Sequence, residues 1–232
     1  MPVYQLDEGL WFPNPKYGEP DGLLAVGGDL SVNRLLLAYN HGIFQWYAYQ
    51  LYDEPHWYCP MDRFVIFPKE IHISHSMKQL MRHGKYHITM NQDFKGVINA
   101  CSKADSRNTD MGAWLGPQMI RAYTQLHQMG IAHSVEVWEA KETENNTSIP
   151  LRLVGGLYGI DLNGAFFGES MFSLTPSASK LALIHLAQHL EKKGYSFIDC
   201  QFETPYLLSM GGQHIPYEEY MAILNANAHK KE

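Results

Sequence analysis

Apolar residues recur at two spacings along the chain, and the switches between three-to-four and two mark out its elements. Leu35, Leu36 and Tyr39 share a face of a short helix that Asp29 or Ser31 caps and Gly42 ends. A short apolar strand follows around Phe64 to Phe67, bracketed by Pro60 and Pro68. From Ser74 to His83, Met77, Leu80 and Met81 predict one face of a helix, and Lys78 and Arg82, four apart, another. Asn91 to Lys103 and Gly116 to Gln128 read as further helices, the second with Ile120, Tyr123 and Leu126 or His127 inward and Gly130 as its stop. Alternation then takes over in Ile131 to Ala140, with Val135 and Val137 in step, and in Leu151 to Leu162, the two joined by a polar hairpin insertion at 142–150. Asn163-Gly164 turns the chain into a third antiparallel strand, Ala165 to Ser173. Ser177 or Ser179 caps a helix to Lys192, whose end Lys192, Lys193 and Gly194 favour, and Tyr195 to Phe202 reads as the next strand. A last helix spans Ile215 to Ala228, with a tail at 229–232 expected to fray.

This order predicts an α+β fold, a mixed sheet covered by helices with a ββαβ core unit. The first 62 residues are rich in Pro, Gly and aromatics, with turn runs FPNP and YGEPDG, and read as a small N-terminal domain ahead of a larger one at 63–232. With 232 residues, 45% hydrophobic and 12% aromatic, the chain can pack a sizeable core. No apolar run approaches the roughly 18 residues of a membrane span, and MPVYQLDEGLWFPNP lacks the regions of a signal peptide, so the expected address is the cytoplasm, without a membrane partner. Cys59, Cys101 and Cys200 are odd in number and far apart, so reduced thiols are expected. A net charge of −6 gives no global attraction for nucleic acid, leaving such a role to a local patch. Lys69, Lys78, Arg82 and Lys85, against the single acid Glu70, make the one basic stretch.

Candidate chemistry gathers between Asn163 and Gln201. Side chains two apart on a strand share a face, which sets Asp199 beside Gln201 and sends Ile198 and Cys200 the other way. Phe167, Glu169 and Met171 alternate likewise, although Gly168 is a place for a bulge. The plain alternative is that both carboxylates serve helix ends or backbone amides. His185 and His189 have ligand spacing without a third ligand, so no metal is expected. Trp46, Trp57 and Trp114 either fill cores and seams or stack a base.

Several strings together resemble one family: GLLAVGGDLSVNRLLLAYNHGIFQWY, HISHSMK, AWLGPQMIRAYTQLHQMGIAHSVEVWE, LVGGLYGIDLNGAFFGESMFS, SASKLAL and IDCQ. They look like bacterial leucyl/phenylalanyl-tRNA–protein transferases, in order and over nearly the whole chain. The resemblance implies a small N-terminal domain joined to an acetyltransferase-like (GNAT) domain, and transfer of Leu or Phe, with Met as a further donor, from aminoacyl-tRNA (Leu-tRNA, Phe-tRNA) to proteins beginning with Arg or Lys, marking them for degradation. It implies no cofactor. It assigns Asp199 and Gln201 to the catalytic strand, and Trp46, Trp114, Glu169 and Ser179 to the aminoacyl-adenosine site. Leu157, Phe166, Met171, Leu183, Leu186 and Ile198 match the pocket for the transferred side chain, and Lys78, Arg82 and Lys85 match contacts to tRNA phosphates.

An acceptor amine with a pKa of about 7.7–8.0 is partly neutral near pH 7, so positioning is expected to matter more than a strong base. On this reading Asp199 accepts a hydrogen bond from the amine, or from Gln201 that orients it, while Gln201 or a backbone N–H steadies the oxyanion. The sequence departs from the family's usual pattern at Gln45, Met61-Asp62 and Tyr206, and in a basic helix that carries His75, Gln79 and His83. Two rivals are an acetyl-CoA-dependent acetyltransferase, against which the lack of glycines in SLTPSASKLAL counts, and a non-catalytic RNA- or peptide-binding module.

Overall fold

Short alternating runs, broken by Pro and Gly, build a four-stranded sheet first. In the computed structural model, which describes residues 3–46, 48–105, 114–140 and 151–228, strand β1 (Tyr4–Leu6) runs parallel to β2 (Leu23–Gly27). After helix α1 (Val32–Asn40), β3 (Phe44–Gln45) and β2 both pair antiparallel with β4 (His56–Tyr58). Ser31 Oγ caps α1 by accepting from the Arg34 amide, and the expected stop, Gly42, lies just beyond with φ 69°. Arg34 is buried and donates to the carbonyls of Asp7, Gly9 and Trp11, fastening the N-terminal arm. These four strands were not legible in the sequence, because two to five residues between turns give too little alternation to read. The insertion at 142–150 and the tail at 229–232 lie outside the described residues.

Among the described residues the larger sheet has seven strands. Its first, β5 (Asp62–Ile66), is followed by α2 (His75–Arg82), β6 (Tyr86–Met90), α3 (Phe94–Asp105) and α4 (Pro117–Gln128). The meander β7 (Ala132–Ala140), β8 (Leu151–Leu162) and β9 (Ala165–Ser173) comes next, with the Asn163-Gly164 turn at φ 51° and 65°. Then follow α5 (Ala178–Lys192), β10 (Ile198–Asp199), α6 (Pro205–Ser209), β11 (Gln213–Pro216) and α7 (Tyr217–Ala228). The order across the sheet is β11-β5-β10-β9-β8-β7-β6, antiparallel throughout except where β10 joins β9. This is the α+β architecture with a mixed sheet that the pattern of elements implied.

Each face of the sheet has its own helices. Phe94, Val97 and Ile98 of α3 and Met119 and Tyr123 of α4 pack on Tyr158, Ile160 and Phe167, in a core that also takes in α1, α7 and the smaller sheet. On the other face Leu181, Leu183, Ile184 and Leu186 of α5, with Met77 of α2, cover Val135, Leu157 and Phe166. Burial of each such side chain contributes about 1.5–3 kcal/mol. Met81, expected on the inner face of α2, is exposed instead.

Two irregularities sit at the centre of the sheet. Helix α5 begins with Ser177 at φ 69° and no side-chain cap; the Ser179 amide donates instead to Ser173 Oγ at the end of β9. The run 195–202 pairs as a strand over only Ile198 and Asp199, so β9 continues to Ser173 without a partner on that side. Close approach of β8 to β9 requires Gly159, where a Cβ would overlap the Phe167 carbonyl oxygen and the Phe166 ring. Gly159→Ala is therefore expected to cost about 1–3 kcal/mol in urea unfolding, and an unchanged midpoint would show that the strands have room to part.

Candidate active site

Glu169 owes its position to a bulge. Tyr158 pairs with Ser170 and Gly159 with Gly168, so Glu169 is an extra residue on β9 with no partner on β8. The extra residue changes the parity of the strand: Phe167 and Phe172 face the α3 side, and Met171 faces α5. The expectation that Phe167, Glu169 and Met171 share a face thus holds for the first two only. On that side Tyr39 of α1 lies within hydrogen-bond distance of Glu169 Oε1 at 2.7 Å and Tyr123 of α4 of Oε2 at 2.6 Å, with the two hydroxyls 2.8 Å apart. Burial raises the Glu169 pKa to about 7, outweighing the two tyrosine hydrogen bonds, which pull it down.

The end of β10 is organised by Arg63 of β5. Its Nε and Nη2 donate to Asp199 Oδ1 and Oδ2 at 2.9 and 2.6 Å, its Nη1 donates to the Gly42 carbonyl, and its Cζ lies 4.7 Å from the Phe44 ring centroid. Tyr220 of α7 donates to Asp199 Oδ2 at 2.8 Å, and the Gln201 amide to Oδ1 at 2.9 Å. Arg63 and Asp199 are both fully enclosed, at 1% and 0% exposure. Burial works against the guanidinium charge, but the Asp199 carboxylate outweighs it and raises the Arg63 pKa further above its usual range. Asp199 therefore lies on the inner side of the strand with both oxygens engaged. Gln201 adopts φ 60°, which ends the alternation and turns its side chain away from Asp199.

Where β9 and β10 part, a cavity of about 530 Å³ opens. Five of the six residues expected to form a side-chain pocket line it, Leu157, Met171, Leu183, Leu186 and Ile198, and so does Ser179. Phe166 does not; it packs under α5 and faces a separate cavity of about 160 Å³ beside His133 and Tyr195. A second cavity, of about 460 Å³, adjoins the first and is walled by Phe44, Trp46, Trp114 and Phe202. Trp46 packs on Phe202 with ring centroids 5.2 Å apart. Glu169, Cys200, Gln201, Thr204 and Leu207 line both cavities and form the wall between them, whereas Asp199 lines neither. Cys200, expected to point into the core, reaches that wall through the turn at Gln201, and burial there pushes its thiol pKa up. Trp57, in contrast, is a core residue whose indole donates to the Gly27 carbonyl.

Lys78 and Arg82 are exposed on α2, while Lys85 is paired with Glu139 at 2.9 Å. Among the described residues no group of three or more His, Cys, Asp or Glu is placed to hold a metal ion, and no helix is long and apolar enough to cross a membrane. Sequence reasoning missed Arg63, Tyr39, Tyr123 and Tyr220. Arg63 had a signal, a lone cation leading the apolar run FVIF, where a buried charge requires a buried partner. The tyrosines had none, since their inward spacing reads equally as core.

The raised pKa of Glu169 has a thermodynamic consequence. Between its ordinary value of 4.5 and about 7 the folded chain keeps a proton that the unfolded chain has lost, so this group lowers stability as pH rises through that window. Relative to Glu169→Gln, the wild-type chain is expected to lose up to about 3 kcal/mol between pH about 4.5 and about 7 and no more above it. Urea unfolding of both at several pH values measures the difference; parallel curves would place the pKa of Glu169 near 4.5.

The family model for leucyl/phenylalanyl-tRNA protein transferase matches residues 65–225, and the model for the N-terminal domain of that transferase matches residues 28–61. Among curated relatives, the leucyl/phenylalanyl-tRNA–protein transferase of Desulforapulum autotrophicum is 45% identical over 232 residues, covering 100% of this chain and 95% of its own. That of Thermodesulfovibrio yellowstonii is 42% identical over 231 residues (100% and 89%), and that of Nitrosomonas eutropha 46% over 206 residues (89% and 82%). The chain belongs to the leucyl/phenylalanyl-tRNA–protein transferase family.

Proposed function

We propose that this enzyme moves leucine or phenylalanine, with methionine as a further donor, from aminoacyl-tRNA to the amino terminus of proteins that begin with Arg or Lys, marking them for degradation in the cytoplasm. The observation that carries the reading is the pair of cavities with one polar wall. An apolar cavity lined by Leu157, Met171, Leu183, Leu186 and Ile198 suits the transferred side chain, and an aromatic one holding Trp46 and Trp114 suits the terminal adenine. An ester joining the two sits against Gln201 and Glu169, which line both. Rejection of β-branched amino acids follows if the apolar cavity is tight near that wall, where one misplaced methyl group is worth about 1–3 kcal/mol.

In this reading a neutral acceptor amine attacks the ester carbon, and the Gln201 side chain orients the amine or steadies the developing oxyanion. Asp199 contributes at one remove, by holding the Gln201 backbone amide and closing the charge of Arg63. Ser179 and Thr204 supply polar edges, and Lys78 and Arg82, with Lys85 in exchange for Glu139, meet acceptor-stem phosphates. The smaller sheet and the segment to residue 62 form the N-terminal domain, which brings Phe44 and Trp46 to the site.

The test is transfer of labelled leucine from Leu-tRNA to a peptide beginning with Arg, beside one beginning with Ala and a reaction given acetyl-CoA. Product is expected only from Leu-tRNA and the Arg peptide. Trp46→Ala is expected to raise KM for Leu-tRNA about 5- to 150-fold, the value of one lost base stack, while leaving KM for the peptide in place. Transfer to both peptides alike, or acetylation, would contradict the reading.

A further inference from the structure

Four oxygens, joined by three short contacts and the Glu169 carboxyl carbon, close a ring at the wall between the cavities. The Tyr39 and Tyr123 hydroxyls each meet one oxygen of Glu169 and also meet each other, at 2.7, 2.6 and 2.8 Å. Each contact is of hydrogen-bond length and needs one proton. The two phenols supply only two, having one O–H apiece. An ionised Glu169 would thus leave one oxygen–oxygen contact without a proton. A protonated Glu169 supplies the third and closes the ring, carboxyl to one tyrosine, that tyrosine to the other, and the second back to the carboxyl. Gln45 Nε2, 3.5 Å from the Tyr123 hydroxyl, puts no proton between the two tyrosines.

Resting on the aminoacyl-transfer reading, we propose that Glu169 is a proton donor and acceptor in the reaction, its proton held in the ring with Tyr39 and Tyr123 and exchanged with the ester at the wall shared by the two cavities. The acceptor's amine lone pair forms the new C–N bond, leaving a tetrahedral carbon with a cationic nitrogen and an anionic oxygen. As the bond to the sugar oxygen breaks, Glu169 gives its proton to that oxygen. The cationic nitrogen returns a proton to the Glu169 carboxylate. The products are an amide and a free sugar hydroxyl, with the carboxyl restored and no charge left over.

The surroundings suit this exchange. Glu169 lines both cavities, and the bulge on β9 directs it there. Tyr39 arrives from α1 and Tyr123 from α4; the charges of Asp199 on β10 and Arg63 on β5 act on it in opposite directions. Burial sets its pKa at about 7, where a group both gives and takes a proton near neutrality.

Glu169→Gln separates this role from a structural one. Its amide NH₂ stands in for the carboxyl O–H and fills the same three contacts, but it has no proton to give. In the leucine-transfer assay with the Arg peptide, this variant is expected to keep KM for Leu-tRNA and to lose about 100-fold or more in kcat. The ionisation near pH 7 should vanish from its rate profile. Tyr39→Phe opens the ring, so the ionisation near pH 7 should shift in its profile. A wild-type kcat in Glu169→Gln, or an unmoved profile in Tyr39→Phe, would overturn the proposal. Absence of transfer by the wild-type chain would instead overturn the functional reading beneath it, and the protonated-carboxyl stretch in the infrared, lost in Glu169→Gln, would then report the ring alone.

Discussion

The buried pair of Arg63 and Asp199 is the constraint on which the rest of the site depends. A guanidinium and a carboxylate taken out of water cost several kcal/mol each, and only a complete set of partners offsets that. Here the set draws on four parts of the chain: Gly42 at the end of α1, Arg63 on β5, Asp199 on β10 and Tyr220 on α7. Removing Arg63 or Asp199 alone leaves an uncompensated charge and would cost about 3–5 kcal/mol. The pair therefore fixes the geometry of the sheet's centre more than it adds to net stability.

That fixed centre explains why the chain opens where it does. Asp199 turns inward to reach Arg63 and also holds the Gln201 amide, so the strand cannot continue its pleat and Gln201 takes a left-handed conformation. Pairing between β10 and β9 stops after Asp199, and the gap beyond becomes the two cavities. On the facing strand the bulge at Glu169 does the complementary work, bringing a carboxyl to the wall where Gln201 also stands. One strand ends early and its neighbour gains a residue; together they set two polar side chains between an apolar and an aromatic space.

Much of this was legible in the sequence because long elements carry their own periodicity. The meander of β7, β8 and β9, the helix α5 and its stop at Gly194 follow from alternation and capping, and the resemblance of motifs led to residues that do line the cavities. What stayed hidden had physical causes. The strands β1 to β4, β6 and β11 are too short to show a period, and Phe166 left the expected pocket because alternation alone says nothing of what a strand's two faces meet. Asp199 and Gln201 were expected to look out together, as strand geometry dictates, yet a positive φ at one residue set them apart. Arg63 lies over a hundred residues from Asp199 in the chain, and no local pattern joins them.

In the proposed reaction Asp199 acts through Gln201 and not on the substrate. The most direct measurement is a double-mutant cycle in kcat for leucine transfer, with Asp199→Asn and Gln201→Ala made singly and together and assayed well below their unfolding transitions. Asp199→Asn is expected to slow the wild-type enzyme strongly and to add little once Gln201 is Ala, because a residue that acts by placing another has nothing left to place. Independent losses that multiply in the double variant would contradict that role and give Asp199 a contact of its own with the reacting atoms.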